Sequence, residues 1–204
     1  MAITKLKWNK ALILKHLNNT FMLEQVDLFE SSALMSAAIL GETTTLNYVI
    51  KSGVNLNQQN KYGATALYRS VGDENFHIVQ ALIEAGADPN IARNTGQTPL
   101  MVATEVGFYN EMDILLKNGA DVELVNHWGR TALYIAVEYE MTESALKLVR
   151  HGADLNSFFW DFKNLESSLV EMTELIRYIE EHQQQLTEES MQKWKAFRLK
   201  QLFV

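Results

Sequence analysis

Apolar residues recur at helical spacing in three consecutive stretches of the chain, and each stretch ends at a glycine. The apolar positions are Val79, Leu82 and Ile83, then Ile114, Leu115 and Leu116, then Leu146, Leu148 and Val149. The glycines that follow them are Gly86, Gly119 and Gly152. Glycine ends a helix at low steric cost because it adopts the left-handed conformation readily. The pattern therefore predicts three amphipathic helices that end at these glycines.

The flanks of the chain also carry apolar residues at helical spacing. Before residue 32, a short helix is predicted over residues 9–17, with Leu12, Ile13 and Leu17, and further apolar residues follow at Phe21, Met22, Val26 and Phe29. After residue 156, a helix is predicted over residues 164–181, where the apolar positions are Leu165, Leu169, Met172, Ile176 and Ile179. A last helix is predicted over residues 187–202, with acidic residues in its first turn and basic residues toward its end.

Two short motifs recur with a step of 33 residues. The first is Gly-Ala-Thr-Ala-Leu at residues 63–67, Gly-Gln-Thr-Pro-Leu at 96–100 and Gly-Arg-Thr-Ala-Leu at 129–133. The second is the turn that begins at Gly53, Gly86, Gly119 and Gly152. The threonine of the first motif is suited to cap the helix that follows it, because its side-chain oxygen accepts a hydrogen bond from a free backbone amide.

The repeat length and both motifs resemble the ankyrin repeat, a β-turn followed by two antiparallel helices. The resemblance implies an all-α fold, an ankyrin-repeat solenoid of four units over residues 32–156. Residues 1–31 and 157–204 would then form helical caps, because a repeat cannot bury its apolar face without a neighbour. The first unit lacks the opening glycine and starts at Ser32.

The sequence departs from the family pattern in the Thr-Pro-Leu-His stretch. Proline is present only at Pro99, and the histidine is replaced by Met35, Tyr68, Met101 and Tyr134. We expect the units to keep their shape and to lose a polar network.

Composition and charge narrow the function. The chain has 204 residues, no cysteine and a formal net charge of −7. Residues 1–30 contribute +1 and residues 187–204 contribute +2, which leaves −10 for residues 31–186. An acidic body disfavours nucleic acid and anionic membrane, and it favours a partner with a basic surface. With no apolar run long enough for a signal peptide or a membrane span, we expect a cytoplasmic protein. We also expect the protein to be monomeric by itself.

The residue types that enzymes need do not form a recognisable site. No two of the five histidines are three or four residues apart, and no glycine-rich phosphate loop is present. The spelling Ser-x-x-Lys at residues 190–193 lies on a predicted helix without partner motifs. We therefore expect no enzyme activity, no cofactor and no metal site.

The resemblance implies that partners bind the concave face, which the repeat tips and the exposed side of the first helices form. Residue by residue, this gives partner-binding candidates at Tyr62, Asp73, Glu105, Trp128, Arg130, Glu138 and Tyr139. Exposed tryptophan and tyrosine concentrate binding energy, and carboxylates attract a basic surface. In an alternative interpretation, Trp128 packs against residues 158–160 and the carboxylates are simply solvated.

These observations predict a protein that acts by occupying a partner's surface, as an inhibitor, a sequestering protein or an adaptor. A bacterial immunity-type inhibitor of a toxin is one form of this hypothesis. The alternative is a scaffold or effector protein that recognises a host or structural protein. In that alternative, the basic helix over residues 187–202, with Trp194 and Phe197, contacts a membrane.

Overall fold

The computed structural model of the protein describes residues 9–16, 18, 32–72, 75–139, 141–154 and 177. Within these residues the chain forms nine helices and no strand. The helices are α1 (Lys10–Lys15), α2 (Ala33–Leu40), α3 (Thr43–Lys51), α4 (Ala66–Gly72), α5 (Phe76–Glu84), α6 (Pro99–Val106), α7 (Tyr109–Lys117), α8 (Ala132–Glu138) and α9 (Thr142–Arg150). None of the described helices is long and apolar enough to cross a membrane.

The helices from α2 to α9 form four stacked pairs. The first unit consists of α2 and α3, the second of α4 and α5, the third of α6 and α7, and the fourth of α8 and α9. The first helices of adjacent units pack side by side, and so do the second helices. Leu67, Leu100 and Leu133 are buried in this stack, as their spacing predicts. The all-α repeat architecture is therefore confirmed.

Capping side chains start the first helices where the sequence motif places them. The side-chain oxygens of Thr65, Thr98 and Thr131 each accept a hydrogen bond from the backbone amide three residues later, at 3.1 to 3.2 Å. Ser32 does the same in the first unit, at 3.3 Å. The second helices of the four units end ahead of glycines with positive φ, between 75° and 97°. Both termini of the unit are thus satisfied locally.

The 33-residue register extends to α1, ahead of the first unit. The second helices begin at Thr43, Phe76, Tyr109 and Thr142, and α1 begins at Lys10, which is one further step back. The residue three positions into each of these five helices is buried; the set is Ile13, Leu46, Val79, Met112 and Ala145. The side chain of Asn9 caps α1 by accepting from the amide of Leu12 at 3.0 Å. α1 therefore occupies the place of a second helix in the stack.

Turns of adjacent units are joined by hydrogen bonds between a backbone amide and a side chain. The amide of Asp88 donates to Asn57 Oδ1 at 2.9 Å, and the amide of Asp121 donates to Asn90 Oδ1 at 2.8 Å. One unit further on, Glu123 takes the position of the asparagine and accepts from the next backbone amide. Because these bonds repeat with the register, they align each unit on the previous one.

Some details differ from the sequence-based expectation or lie outside it. Ile114 is only half-buried, whereas its apolar neighbours in α7 are buried. The apolar residues between positions 21 and 29 and the predicted last helix over residues 187–202 lie outside the described residues. Of the predicted helix over residues 164–181, only Arg177 is described, and it is helical. The division into residues 1–31, 32–156 and 157–204 stays a prediction.

The expected loss of a polar network is wrong for Tyr68. Its hydroxyl donates to Gln97 Oε1 in the next unit at 2.9 Å. The tyrosine is long enough to reach across the interface between units, so it replaces the missing histidine with a contact between repeats. No such side-chain bond is available to Met101, the equivalent residue of the third unit, because its thioether has no donor.

Candidate functional site

Three tips of the same backbone shape project from the stack, at residues 60–64, 93–97 and 126–130. In each tip the first residue donates from its amide to the carbonyl of the fifth, at 3.0 Å. The carbonyl of the first residue accepts from the amide of the glycine at the fourth position, at 2.8 to 2.9 Å. The tips also bond to one another, because the amide of Asn94 donates to the carbonyl of Tyr62 and the amide of His127 donates to the carbonyl of Thr95. They therefore form one continuous row.

The two outer tips of this row are built around an asparagine. Asn60 Oδ1 accepts from the amides of Tyr62 and Ala64, both at 3.0 Å. Asn126 Oδ1 accepts from the amides of Trp128 and Arg130, at 3.0 and 3.1 Å. Asparagine stabilises turns in this way because its short side chain reaches backbone amides two residues on. These two hydrogen bonds hold the backbone of the aromatic residue, Tyr62 or Trp128, within the turn.

Tyr62 and Trp128 are exposed in the structure. Their exposed fractions are 60% and 65%, which are large values for aromatic side chains. The Nζ of Lys61 lies 5.2 Å from the centroid of the Tyr62 ring. The alternative interpretation, in which Trp128 packs on residues 158–160, names residues outside the described ones. Both aromatic rings are presented to solvent from tips two units apart.

The exposed ends of the first helices add apolar surface beside the tips. Tyr139, at the end of α8, is 50% exposed, and Val106, at the end of α6, is 51% exposed. In the first unit, Ile39 and Leu40 at the end of α2 are exposed to a similar degree. These positions share the register of the repeat, so they line one side of the stack. We call the tips, these four residues and the neighbouring carboxylates Glu105 and Glu138 the concave face.

The two described carboxylates of the concave face are each held by a side chain from the tip. Glu105 Oε2 accepts from Gln97 Nε2 at 2.8 Å. Glu138 Oε2 lies 2.7 Å from a guanidinium nitrogen of Arg130 and forms an ion pair with it. These bonds bring the tips and the first-helix ends together on one face. Asp73, the third predicted carboxylate, lies outside the described residues.

The middle tip differs from its neighbours. Arg93 stands where the outer tips have asparagine, and its Nε donates to Thr95 Oγ1 at 2.7 Å. The Arg93 guanidinium lies over the ring of Tyr68, 5.9 Å from its centroid. Burial raises the pKa of the Tyr68 hydroxyl above its ordinary value, while Arg93 opposes that increase. At the position equivalent to Tyr62 and Trp128, the middle tip carries a smaller side chain, Thr95.

Acidic residues also line the loops that join the units, away from the tips. Asp88, Asp121 and Asp154 occupy equivalent positions in successive loops, and Glu123 lies beside them. All except Asp154 are exposed. Much of the negative charge of residues 31–186 therefore lies outside the concave face.

The described residues contain no group of three or more side chains that would hold a metal ion. An open groove of about 390 Å³ lies between α3 and α5, on the side of the second helices. Its lining is mixed in polarity and includes Asn47, His77 and Glu84. Gln80 Nε2 donates to Glu84 Oε1 at 2.8 Å within it. The groove differs from the concave face, which exposes the aromatic residues Tyr62, Trp128 and Tyr139.

Comparison with known proteins identifies the family. A family model described as ankyrin repeats (3 copies) matches residues 5–93 and 72–158, which is more than half of the chain. The protein therefore belongs to the ankyrin-repeat family. No curated protein matches the chain. Ankyrin repeats generally mediate protein–protein interaction and are typically non-enzymatic modules, so the family indicates a protein partner.

Sequence reasoning found the exposed aromatic residues but not the side chains that position the site. Asn60 and Asn126 were not recognised, although asparagine two residues before an exposed aromatic residue at a turn is a usable signal. The bond between Gln97 and Glu105 was missed because the two residues are eight positions apart and meet only when the tip folds over the helix. Arg130 and Glu138 were both predicted as partner-binding residues, but the bond between them was missed for the same reason.

Proposed function

We propose that this protein binds another protein through its concave face and acts by occupying that partner's surface. The observation that carries the proposal is the distribution of exposed apolar side chains. Of the ten large apolar residues exposed in the described part of the chain, six belong to the concave face. The six are Ile39, Leu40, Tyr62, Val106, Trp128 and Tyr139. Apolar surface concentrated on one face of a soluble fold is typical of a binding site.

The partner in this proposal has a basic surface. Residues 31–186 carry a net charge of −10, and a field of that sign accelerates encounter with a cationic protein. Because Glu138 is neutralised by Arg130, charge contributes mainly to the approach. The aromatic residues of the tips contribute the contact area. A chain of this kind would serve as an inhibitor, a sequestering protein or an adaptor. An immunity-type inhibitor of a basic toxin is one such role.

Truncation of one aromatic tip tests the proposal. The tagged full chain is used to capture its partner from native lysate, and the purified partner is then titrated against variants by calorimetry. Trp128→Ala should weaken binding roughly thirtyfold, because a hot-spot aromatic contributes about 2 kcal/mol and about 1.4 kcal/mol is a factor of ten. Thermal unfolding checks that the variant remains folded.

Tyr48 provides the matched control. It is an exposed aromatic residue on α3, outside the concave face, with an exposed fraction of 54%. Tyr48→Ala should bind the captured partner as tightly as the unaltered chain. If Tyr48→Ala weakens binding while Trp128→Ala does not, the partner binds the side of the second helices and the proposal fails.

A further inference from the structure

We infer that Glu105 is the position on the concave face that receives a lysine or arginine side chain of the partner, and that Glu138 is not. The inference rests on the proposed function, since it assigns a chemical role to one residue of the same face. It distinguishes two carboxylates that occupy equivalent positions in consecutive units, 33 residues apart.

The first step is the geometry of the two carboxylates. In both units the carboxylate lies in the last turn of the first helix. The tip side chain eight residues earlier in the sequence contacts its Oε2. The nitrogen–oxygen distances are 2.8 Å for Gln97–Glu105 and 2.7 Å for Arg130–Glu138. The two pairs therefore have the same placement and differ only in the group that the tip supplies.

The second step is the charge that remains at each position. Arg130 neutralises Glu138, and both side chains are partly shielded, with exposed fractions of 35% and 26%. The amide of Gln97 orients Glu105 without neutralising it. Within the described residues Glu105 forms no ion pair, and Arg93, the cation of the same tip, is engaged by Thr95 and Tyr68. Of the two described carboxylates, only Glu105 therefore keeps a negative charge in a fixed orientation.

The third step is the surface around Glu105. Thr95 is the small residue of the tip row, so the approach to Glu105 is not covered by an aromatic tip of its own unit. Val106, beside Glu105, is exposed, and Tyr139 occupies the equivalent position one unit further on. Lysine and arginine have an apolar stem and a cationic head, and the head also binds aromatic rings. The chemistry around Glu105 therefore fits a basic side chain of a protein.

Exchange of the two tip side chains tests this inference. Gln97→Arg would give the third unit the ion pair of the fourth, and Arg130→Gln would give the fourth unit the neutral pair of the third. The probe is a blocked tetra-arginine peptide, titrated into the full-length isotope-labelled protein and followed by NMR at low salt. Gln97→Arg should weaken the binding seen at Glu105 and Val106 about fivefold, the effect of losing one accessible ion pair. Arg130→Gln should create peptide-dependent shifts at Glu138.

Gln80→Arg is the control for net charge. Gln80 donates to Glu84 on α5, outside the concave face, so its replacement adds the same single positive charge beside a carboxylate elsewhere. It should leave the shifts at Glu105 unchanged. Because Gln97 also accepts from Tyr68, Gln97→Arg carries a risk to folding. Glu105→Gln avoids that risk, since it removes the charge and keeps an amide oxygen for Gln97, and it should weaken the peptide to the same extent.

Equal peptide affinity at Glu105 in the unaltered chain, Gln97→Arg and Glu105→Gln would overturn the inference. Peptide-dependent shifts confined to the loops at Asp88 and Asp121 would also overturn it, because the acidic residues of the loops would then bind the peptide. Neither result touches the proposed function, which depends on the effect of Trp128→Ala on the captured protein. The two ideas therefore fail separately.

Discussion

The third and fourth units begin with the same motif and use it differently. The middle tip, residues 93–97, lies between two other tips, and its backbone bonds to both. Its side chains point to neighbours, since Arg93 lies over Tyr68 and Gln97 accepts from Tyr68 and donates to Glu105. The tip of the fourth unit, residues 126–130, carries the most exposed aromatic residue of the described chain.

The position of a unit in the stack therefore decides what the equivalent residues of its tip contact. An internal tip is used for contacts between units, because another tip lies on each side of it. The tip of the fourth unit is the last described member of the row, and it exposes Trp128 while Arg130 and Glu138 neutralise each other. In our proposal, contact area and accessible charge are therefore supplied by different units of one face.

The largest expected effect concerns the glycine at the fourth position of each tip. Gly96 and Gly129 have nearly the same positive φ, 76° and 73°. A Cβ at Gly96 would lie 2.9 Å from the Asn126 Cα and from the His127 amide nitrogen, whereas no described atom would lie within 4 Å of a Cβ at Gly129. Both alanine variants incur left-handed strain of about 1–2 kcal/mol, and Gly96→Ala adds a steric clash with backbone.

Urea unfolding measures this difference. Gly96→Ala should be less stable than Gly129→Ala by about 1–3 kcal/mol. Equal losses of stability would mean that the tips do not approach each other as closely in solution as their backbone bonds require.

A smaller effect is expected at the contact between Tyr68 and Gln97. Tyr68→Phe removes a hydrogen bond between units and should cost about 1 kcal/mol at pH 8, whereas Tyr62→Phe, at an exposed tip, should cost nothing measurable. The pKa of Tyr68 is raised in the folded protein, so its contribution is complete below the ordinary phenol pKa of about 10. It is lost as the pH rises toward the folded value, because only the unfolded chain is then deprotonated.

Unfolding titrations at pH 8 and above pH 10 test this account. The stability of the unaltered chain should fall more steeply with pH than that of Tyr68→Phe. Parallel pH profiles would show that the buried hydroxyl is not linked to unfolding.

Much of the fold could be predicted because the repeat signals are local. The threonine caps at Thr65, Thr98 and Thr131 act within one turn, and the glycines that end the second helices act through their own φ. Each signal recurs every 33 residues, so one unit predicts the next. The exposure of Tyr62 and Trp128 could be predicted for the same reason, since a tip has no core of its own.

The remaining features depend on contacts between units, which a local pattern does not encode. The place of α1 in the stack was missed because residues 9–17 lack both repeat motifs. The start of α1 at Lys10 and the burial of Ile13 in register with Leu46 reveal it. The neutralisation of Glu138 by Arg130 was missed because the pair depends on how the tip folds over α8. Charge counted along the sequence therefore overstated the acidity of the concave face.

Oxidative footprinting of the complex with the captured partner shows which side of the stack the partner covers. Tyrosine and tryptophan are labelled on both sides of the stack, at Tyr62, Trp128 and Tyr139 on the concave face and at Tyr48 and Tyr109 on the second helices. We predict that the partner protects the three concave-face residues and leaves Tyr48 and Tyr109 as reactive as in the free protein. Protection of Tyr48 and Tyr109, with Trp128 still fully labelled, would contradict the account.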